Sequence, residues 1–281
     1  MRAAKNDLER FLREDLGRRG DVTTKRLFGT KTIPATARLY AREDVVAAGV
    51  KEAAAVFERL GAQVTKRAAE GTLVRAGSPL LVVRGILQAI LTGERLALNI
   101  LARMCGIATT TRRLASKVRA VNAGCKVAAT RKTTPGFRLY EKRAVEIGGG
   151  DPHRFGLYDQ VLIKDNHVAA LGGDVELAVR RAKRGAPKLP VEVEVSRVRD
   201  GETAARAGAD WILIDNVSPT LARKIAKAAR AIRPSIKVEV SGGLTEKTLR
   251  HYAPFADRLS LGMLTHSAKS ADVTLDLVPK R

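Results

Sequence analysis

Aromatic residues make up only 4% of this 281-residue chain. Proteins that grip single-stranded nucleic acid stack its bases on aromatic platforms, so the sequence disfavours that class at once. Cysteine occurs twice, at Cys105 and Cys125, with no CxxC spacing and no paired histidines. That excludes a disulfide framework and a zinc site, and it fits a reducing compartment, so a cytoplasmic location is expected. Long apolar runs are missing as well. The most apolar stretch, PLLVVRGILQAIL (79–91), is broken by Arg84 and Gln88 and is too short to span a bilayer. The first residues, MRAAKNDLERFLREDLGRRGD, are charged throughout and lack the apolar run of a signal peptide. Neither a membrane nor a secretory role is expected.

Positive charge is what the chain has in excess. Lysine and arginine number 51 against 29 acids, a net charge of +22. Such a surplus suits nucleic acid, an anionic surface or acidic small substrates, and part of it can serve stability at high temperature. The basic residues are spread along the whole chain rather than gathered in a tail. A nucleic-acid binder would show steeply salt-dependent binding, and acids converging on one site would oppose it.

Two textures divide the chain. Up to about residue 105, helical stretches alternate with short strand-like runs. Asp7–Leu16 and Glu94–Arg103 carry leucines at helical spacing, and Asp44–Leu60 reads as one Ala-rich helix ending at Gly61. Segments 35–44 and 71–85 read as half-buried strands. After residue 125 strands and helices alternate. KVAA (126–129), VLI (161–163), VEVEV (191–195), WILI (211–214), KVEV (237–240) and RLSL (258–261) read as strands. Helices are expected near 138–147, 174–184, 200–207, 219–231 and 245–252. This βα rhythm makes a parallel sheet, closed or nearly closed into a barrel, with a doubly wound open sheet as the alternative.

Polar residues fall at the ends of these strands. Lys164 follows VLI, Glu194 lies in VEVEV, Asp215 follows WILI, Ser241 follows KVEV and Gly262 follows RLSL. Groups at the carboxyl ends of consecutive parallel strands converge on one mouth, where barrel enzymes place their chemistry. TRKTTPGFR (130–138) and GGGDPHRFGLYD (148–159) bring Arg131, Lys132, Arg138, His153 and Arg154 towards that mouth. Guanidinium forks match carboxylates, so the cluster should bind a multiply charged acid. SGGL (241–244), before a helix capped by Thr245, and LGMLTHS (261–267), with Gly262 and His266, suit a phosphate. Glu194 and Asp215 could share Mg²⁺ or accept bonds from sugar hydroxyls. Lys164 also leaves open a Schiff-base lyase.

TRKTTPGFR, GGGDPHRFGLYDQVLIKDNH (148–167), VEVEV, ILIDNVSP, EVSGGL and LGMLTHS together resemble the quinolinate phosphoribosyltransferase family. REDLGRRGDVTT (13–24) and GERLALNILARMCGIATTTRR (93–113) extend the resemblance over nearly the whole chain. It implies an α/β chain: an N-terminal α/β sandwich domain (1–106, joined by the tail 267–281) and an incomplete parallel α/β barrel (107–266). The implied reaction joins quinolinate to 5-phosphoribosyl-1-pyrophosphate with Mg²⁺, giving nicotinate mononucleotide, pyrophosphate and CO₂ for NAD synthesis. Also implied is a homodimer or larger assembly with active sites at subunit boundaries. By motif, Arg131, Lys132, His153, Arg154 and Lys164 would surround the quinolinate carboxylates, and Arg95 would reach in from the partner subunit. Glu194 and Asp215 would face ribose and metal. Ser241, Gly242, Gly243, Gly262 and His266 would hold the phosphate. Lys132, Lys164, Glu194 and Asp215 form the implied catalytic set. The family also has molybdenum-transport-associated relatives, an alternative of the same fold.

Overall fold

The computed structural model describes residues 2–279, with side chains from Asp7 onward. The outermost ends of the expected sandwich domain, Met1 and residues 280–281, lie outside the described residues. In chain order the elements of the first half are α1 (Arg2–Leu16), α2 (Val22–Phe28), β1 (Pro34–Ala41), β2 (Val45–Val46), α3 (Val50–Arg59), β3 (Gln63–Arg67), β4 (Leu73–Val74), β5 (Pro79–Ile86) and α4 (Leu87–Arg119). There follow β6 (Lys126–Ala128), α5 (Arg138–Ile147), β7 (Val161–Ile163), α6 (Asp165–Ala170), α7 (Val175–Gly185) and β8 (Val191–Val195). The last are α8 (Val198–Arg206), β9 (Trp211–Asp215), α9 (Pro219–Ile232), β10 (Lys237–Ser241), α10 (Leu249–Tyr252), β11 (Arg258–Ser260), α11 (Met263–His266) and β12 (Val273–Leu277). They form two compact units: residues up to Thr110 together with those from Ala268 onward, and Thr111–Ser267.

The first unit is built on an antiparallel sheet in the order β12-β1-β5-β3, with β12 arriving from the far end of the chain. Val50, Ala53, Ala54, Val56 and Phe57 make the buried stripe of α3. The sequence reading ran this helix from Asp44, and the structure corrects it. Val45 and Val46 pair with Val74 and Leu73 as strands, and the helix starts only at Val50. Gly49 sets that start: it sits at φ 80°, and a Cβ there would lie 2.8 Å from Met104 Sδ. A β-branched or bulky residue would be strained in this left-handed geometry. The helix read at Glu94–Arg103 is one part of the 33-residue α4.

The second unit is a parallel sheet in the order β6-β11-β10-β9-β8-β7. Strands β7 to β11 are neighbours in sequence order, and β11 then pairs with β6, so the sheet curls round. Between β6 and β7 no ladder closes the ring. Asp151 takes the free edge of β6 instead, exchanging backbone bonds with Val127 (2.8 Å) and Ala129 (2.9 Å). This is the incomplete barrel expected from the sequence, with all six strands where the apolar runs placed them.

Period two explains the barrel's two faces. Val191, Val193, Val195, Ile212, Ile214, Val238 and Val240 alternate with the polar positions and are buried in the core. Glu192, Glu194, Asp215, Glu239, Ser241 and Ser260 occupy the other phase. Helices are started by local chemistry: Asp174 caps α7 through Leu177 N, and Ser218 caps α9 with Pro219 in the first turn. One expected helix shrinks. The segment from Thr245 makes a turn in which Thr245 N donates to Thr248 Oγ1 (2.9 Å), and α10 spans only Leu249–Tyr252. No helix end therefore backs the SGG turn, and the dipole argument for a phosphate falls away there.

Candidate active site

At the carboxyl ends of the strands a cavity of about 590 Å³ opens in the second unit. Eleven of the thirteen residues assigned from sequence line it. They are Arg131, Lys132, His153, Arg154, Lys164 and Asp215, together with Ser241, Gly242, Gly243, Gly262 and His266. Glu194 lines the adjoining hollow, which shares Asp215 and adds Asp165 and Asn216. Arg95 stands exposed on α4 in the first unit and does not line the cavity.

Backbone bonds hold the Lys132 loop in place. Lys132 N donates to Thr130 Oγ1 (3.1 Å), and its carbonyl accepts from Thr265 Oγ1 (2.7 Å). Arg131 Nε is buried and has no hydrogen-bond partner among the described residues. Burial, and then the neighbouring charge of Arg131, push Arg154 below the usual guanidinium range. Two guanidinium groups that repel each other, one with an orphan donor, fit a site completed by an anionic ligand. Arg138 departs from the expected cluster. Its Nε donates to Thr133 Oγ1 (2.9 Å) and its Nη1 to the Phe155 carbonyl (3.1 Å), tying the two cationic loops together. Glu141 accepts from Thr134 N (2.9 Å) and Oγ1 (3.0 Å) at the base of the same loop.

On the acidic side Lys164 Nζ lies 3.4 Å from Glu194 Oε2. Partial burial raises the Glu194 carboxyl; Lys164 opposes that, while Asp215 and Asp165 add to it. These three carboxylates line one hollow and offer acceptors to a hydroxyl-bearing sugar; their oxygens do not form a ready-made metal cluster among the described residues. Asp165 was not singled out from the sequence, although it directly follows Lys164. The helix it begins, α6, is closed by Lys164 N donating to His167 Nδ1 (2.9 Å), which gives His167 a capping role.

The glycine end is shaped by close approach. Ser241 pairs in register with Asp215, and its carbonyl accepts from Asn216 N (3.0 Å). A Cβ on Gly242 would lie 2.7 Å from Asn216 N, and Gly242 sits at φ 82°, so only glycine fits without strain. Beside it, His266 packs against Gly262 and the Lys132 stem, near enough that a Cβ on Gly262 would lie 2.8 Å from His266 Nε2.

A layer of charged and polar groups lies at the base of the cavity, with His153, Glu239 and Ser260 in its lining, and sequence reasoning missed most of it. Glu239 accepts from Ser260 Oγ (2.6 Å), Arg258 Nη1 (3.0 Å) and His153 Nε2 (3.1 Å). Arg258 Nε reaches on to Asp151 (3.1 Å). Glu192 accepts from Gln160 Nε2 (2.7 Å). Burial, then the charge of Glu239, lift Glu192 well above the usual carboxylate range. Burial acts upward on Glu239 too, but the bond from His153 and the charge of Arg258 bring it down to about 2. The two carboxyls of the layer are thus pushed in opposite directions. Donor atoms of His153, Glu192 and Glu239 lie within 4.8 Å of one another, yet Arg258 already supplies the cation there. The signal available in sequence was VEVEV and KVEV, whose acids fall on the inner phase. His153 Nδ1 accepts from Arg154 N (2.6 Å), so both ring nitrogens are committed within the protein.

The fold and this mouth define an α/β-barrel enzyme that binds small polyanions. Comparison with known proteins gives the family. Models described as quinolinate phosphoribosyl transferase, N-terminal domain and C-terminal domain, match residues 21–105 and 107–276. The nicotinate-nucleotide pyrophosphorylase [carboxylating] of Mycobacterium leprae is 40% identical over 281 residues, covering 98% of this chain and 97% of its own. The human protein of the same name is 42% identical over 249 residues, covering 88% and 84%. The structure of the nicotinate-nucleotide pyrophosphorylase from Francisella tularensis superimposes with a TM-score of 0.89 at 32% identity, covering 99% and 96%. The chain belongs to the quinolinate phosphoribosyltransferase family.

Proposed function

We infer that the chain is a pentosyltransferase of NAD biosynthesis. It joins quinolinate to 5-phosphoribosyl-1-pyrophosphate and releases pyrophosphate and CO₂ to leave nicotinate mononucleotide. The observation that carries this reading is the mutually repelling Arg131–Arg154 pair, with Arg131 Nε unpartnered among the described residues, in a cavity also lined by the glycine-bearing SGG turn. In this assignment Arg131, Arg154, Lys132 and Lys164 hold the two carboxylates of quinolinate, and His153 supports Arg154 from behind. Ser241, Gly242, Gly243, Gly262 and His266 hold the phosphate of the sugar.

Departure of pyrophosphate develops positive charge at the ribose C1, which Glu194 and Asp215 stabilise electrostatically. Loss of CO₂ leaves an electron pair on the ring carbon, favoured by the surrounding Lys and Arg. Glu194 and Asp215, with Asp165 beside them, are the residues that would hold Mg²⁺, whose charge would offset that of the leaving pyrophosphate. Incubating the purified protein with both substrates and Mg²⁺ should yield nicotinate mononucleotide and CO₂ in equal amounts, and no product would refute the reading.

The assembly belongs to the same proposal. Arg95 stands exposed on α4 and completes the quinolinate pocket of a partner subunit in a homodimer or larger assembly. Mixing Arg95→Ala with Lys132→Ala protein should then restore activity in hybrid assemblies, whereas inactive mixtures would count against a shared site. Among the described residues no helix is long and apolar enough to cross a membrane. A cytoplasmic enzyme acting without nucleic acid is the setting we propose.

A further inference from the structure

The turn that carries Arg154 is held in an unfavourable conformation by groups at the base of the cavity, of which Glu239 and Ser260 form part of its lining. His153 has φ 56°, one of two non-glycine residues with positive φ among those described. Such a backbone persists only where its surroundings over-determine it. Here they do so from three directions. Asp151 Oδ1 accepts from His153 N (2.7 Å). Lys142, from α5, donates to the Pro152 carbonyl. Glu239, 1% exposed at the heart of the barrel, accepts from the far ring nitrogen of His153. Because His153 Nδ1 accepts from Arg154 N, its Nε2 carries the hydrogen, and only an acceptor at Glu239 satisfies that tautomer.

We propose that Glu239 is a positioning residue for quinolinate: through His153, and through Arg258 to Asp151, it fixes the turn that aims Arg154 into the cavity. The chain of contacts is continuous. Glu239 is joined to His153 Nε2 directly and to Asp151 by one arginine, and both ends of that path meet the backbone on either side of Pro152. Ser260 orients the carboxylate from the next strand. The ionised state of Glu239 agrees with this, since Arg258 bridges two carboxylates, Glu239 and Asp151, at 3.0 Å each. The hydrogen-bonded partners of Glu239, namely His153, Arg258 and Ser260, lead to the Arg154 turn, whereas Ser241, two residues on along the same strand, is held through β9 by Asn216 N. The inference rests on the reading that Arg154 binds a quinolinate carboxylate.

The test uses the full chain and measures dissociation constants for quinolinate and for phosphoribosyl pyrophosphate separately. Glu239→Gln keeps an acceptor for His153 but removes the charge facing Arg258, so quinolinate should bind about tenfold more weakly, a loss typical of a disturbed charge-assisted bond. Affinity for phosphoribosyl pyrophosphate should change less than about twofold. Ser260→Ala, a milder change, should weaken quinolinate in the same direction by about threefold and serves if the first variant folds poorly. In an Arg154→Ala background, Glu239→Gln should cause no further loss, because the path ends at Arg154. Unchanged quinolinate affinity in the folded variants, an equal loss for both substrates, or additive losses in the double variant would overturn the proposal. If Arg154→Ala itself left quinolinate affinity intact, the substrate reading would fall first and this inference with it.

Discussion

Lys142 offers the most quantitative consequence of this architecture. It lies on α5 with its side chain 2% exposed, and its amino group meets the Pro152 carbonyl. Burial, then the charge of Arg138, bring its pKa from 10.5 down to about 8; Asp159 and Asp151 act against the fall, and Arg131 adds to it. The unfolded chain holds the proton up to about 10.5, whereas the folded protein releases it near 8. Between those values the unfolded state binds more protons, so stability must rise with pH. The interval corresponds to about 3 kcal/mol of stability that wild type gains across that window and a variant without the amino group does not. Below pH 8 both states are protonated and the difference is flat.

Lys142→Met, which keeps the length and apolar stem, isolates this contribution. Urea unfolding of both proteins from pH 7 to pH 10.5 should give a stability difference that is constant to about pH 8 and then shifts by about 3 kcal/mol in favour of wild type. All other titrating groups cancel in the difference. Parallel curves over the whole range would refute the claim that burial in the folded protein depresses the pKa of this lysine.

Two further outcomes bear on the cavity. Arg131→Ala should weaken quinolinate by about 30-fold or more, the scale of a lost buried charge pair. Its melting temperature should not fall, because removing Arg131 relieves its repulsion of Arg154; lower stability with unchanged affinity would make Arg131 structural. Gly242→Ala forces a Cβ to within 2.7 Å of Asn216 N at φ 82°. Its KM for phosphoribosyl pyrophosphate should rise while the quinolinate dissociation constant holds, and the reverse pattern would misplace the phosphate end.

The barrel was legible because its strands are short apolar runs at βα spacing, and period two then places Glu192, Glu194 and Glu239 on the inner face. Helices that depend on tertiary contacts were read less well. Residues 44–60 have helical composition throughout, yet Val45–Val46 joins a two-stranded sheet with β4, and no local signal announces a partner some 28 residues away in sequence. Likewise the turn at Thr245 closes through Thr248, a choice made by two hydroxyls rather than by propensity. In the site, the groups at strand ends were visible one by one. The layer beneath them was not, because Arg258, Asp151, Gln160 and Lys142 look like surface polar groups in a chain with so many. In the structure Lys142 and Gln160 are buried, and the half-buried Arg258 and Asp151 are paired with each other. Both cysteines are buried and free, and burial lifts each thiol to about 12, in keeping with the absence of any expected thiol chemistry.

The claim on which the account turns is that the Arg131–Arg154 pair waits for a ligand with two carboxylates. Calorimetric titration of the wild-type protein with quinolinate and with nicotinate, at one ionic strength, tests it most directly. The account expects quinolinate to bind at least about tenfold more tightly than the monoacid, since each arginine left unanswered retains its repulsion. Equal affinity for the two acids would contradict it.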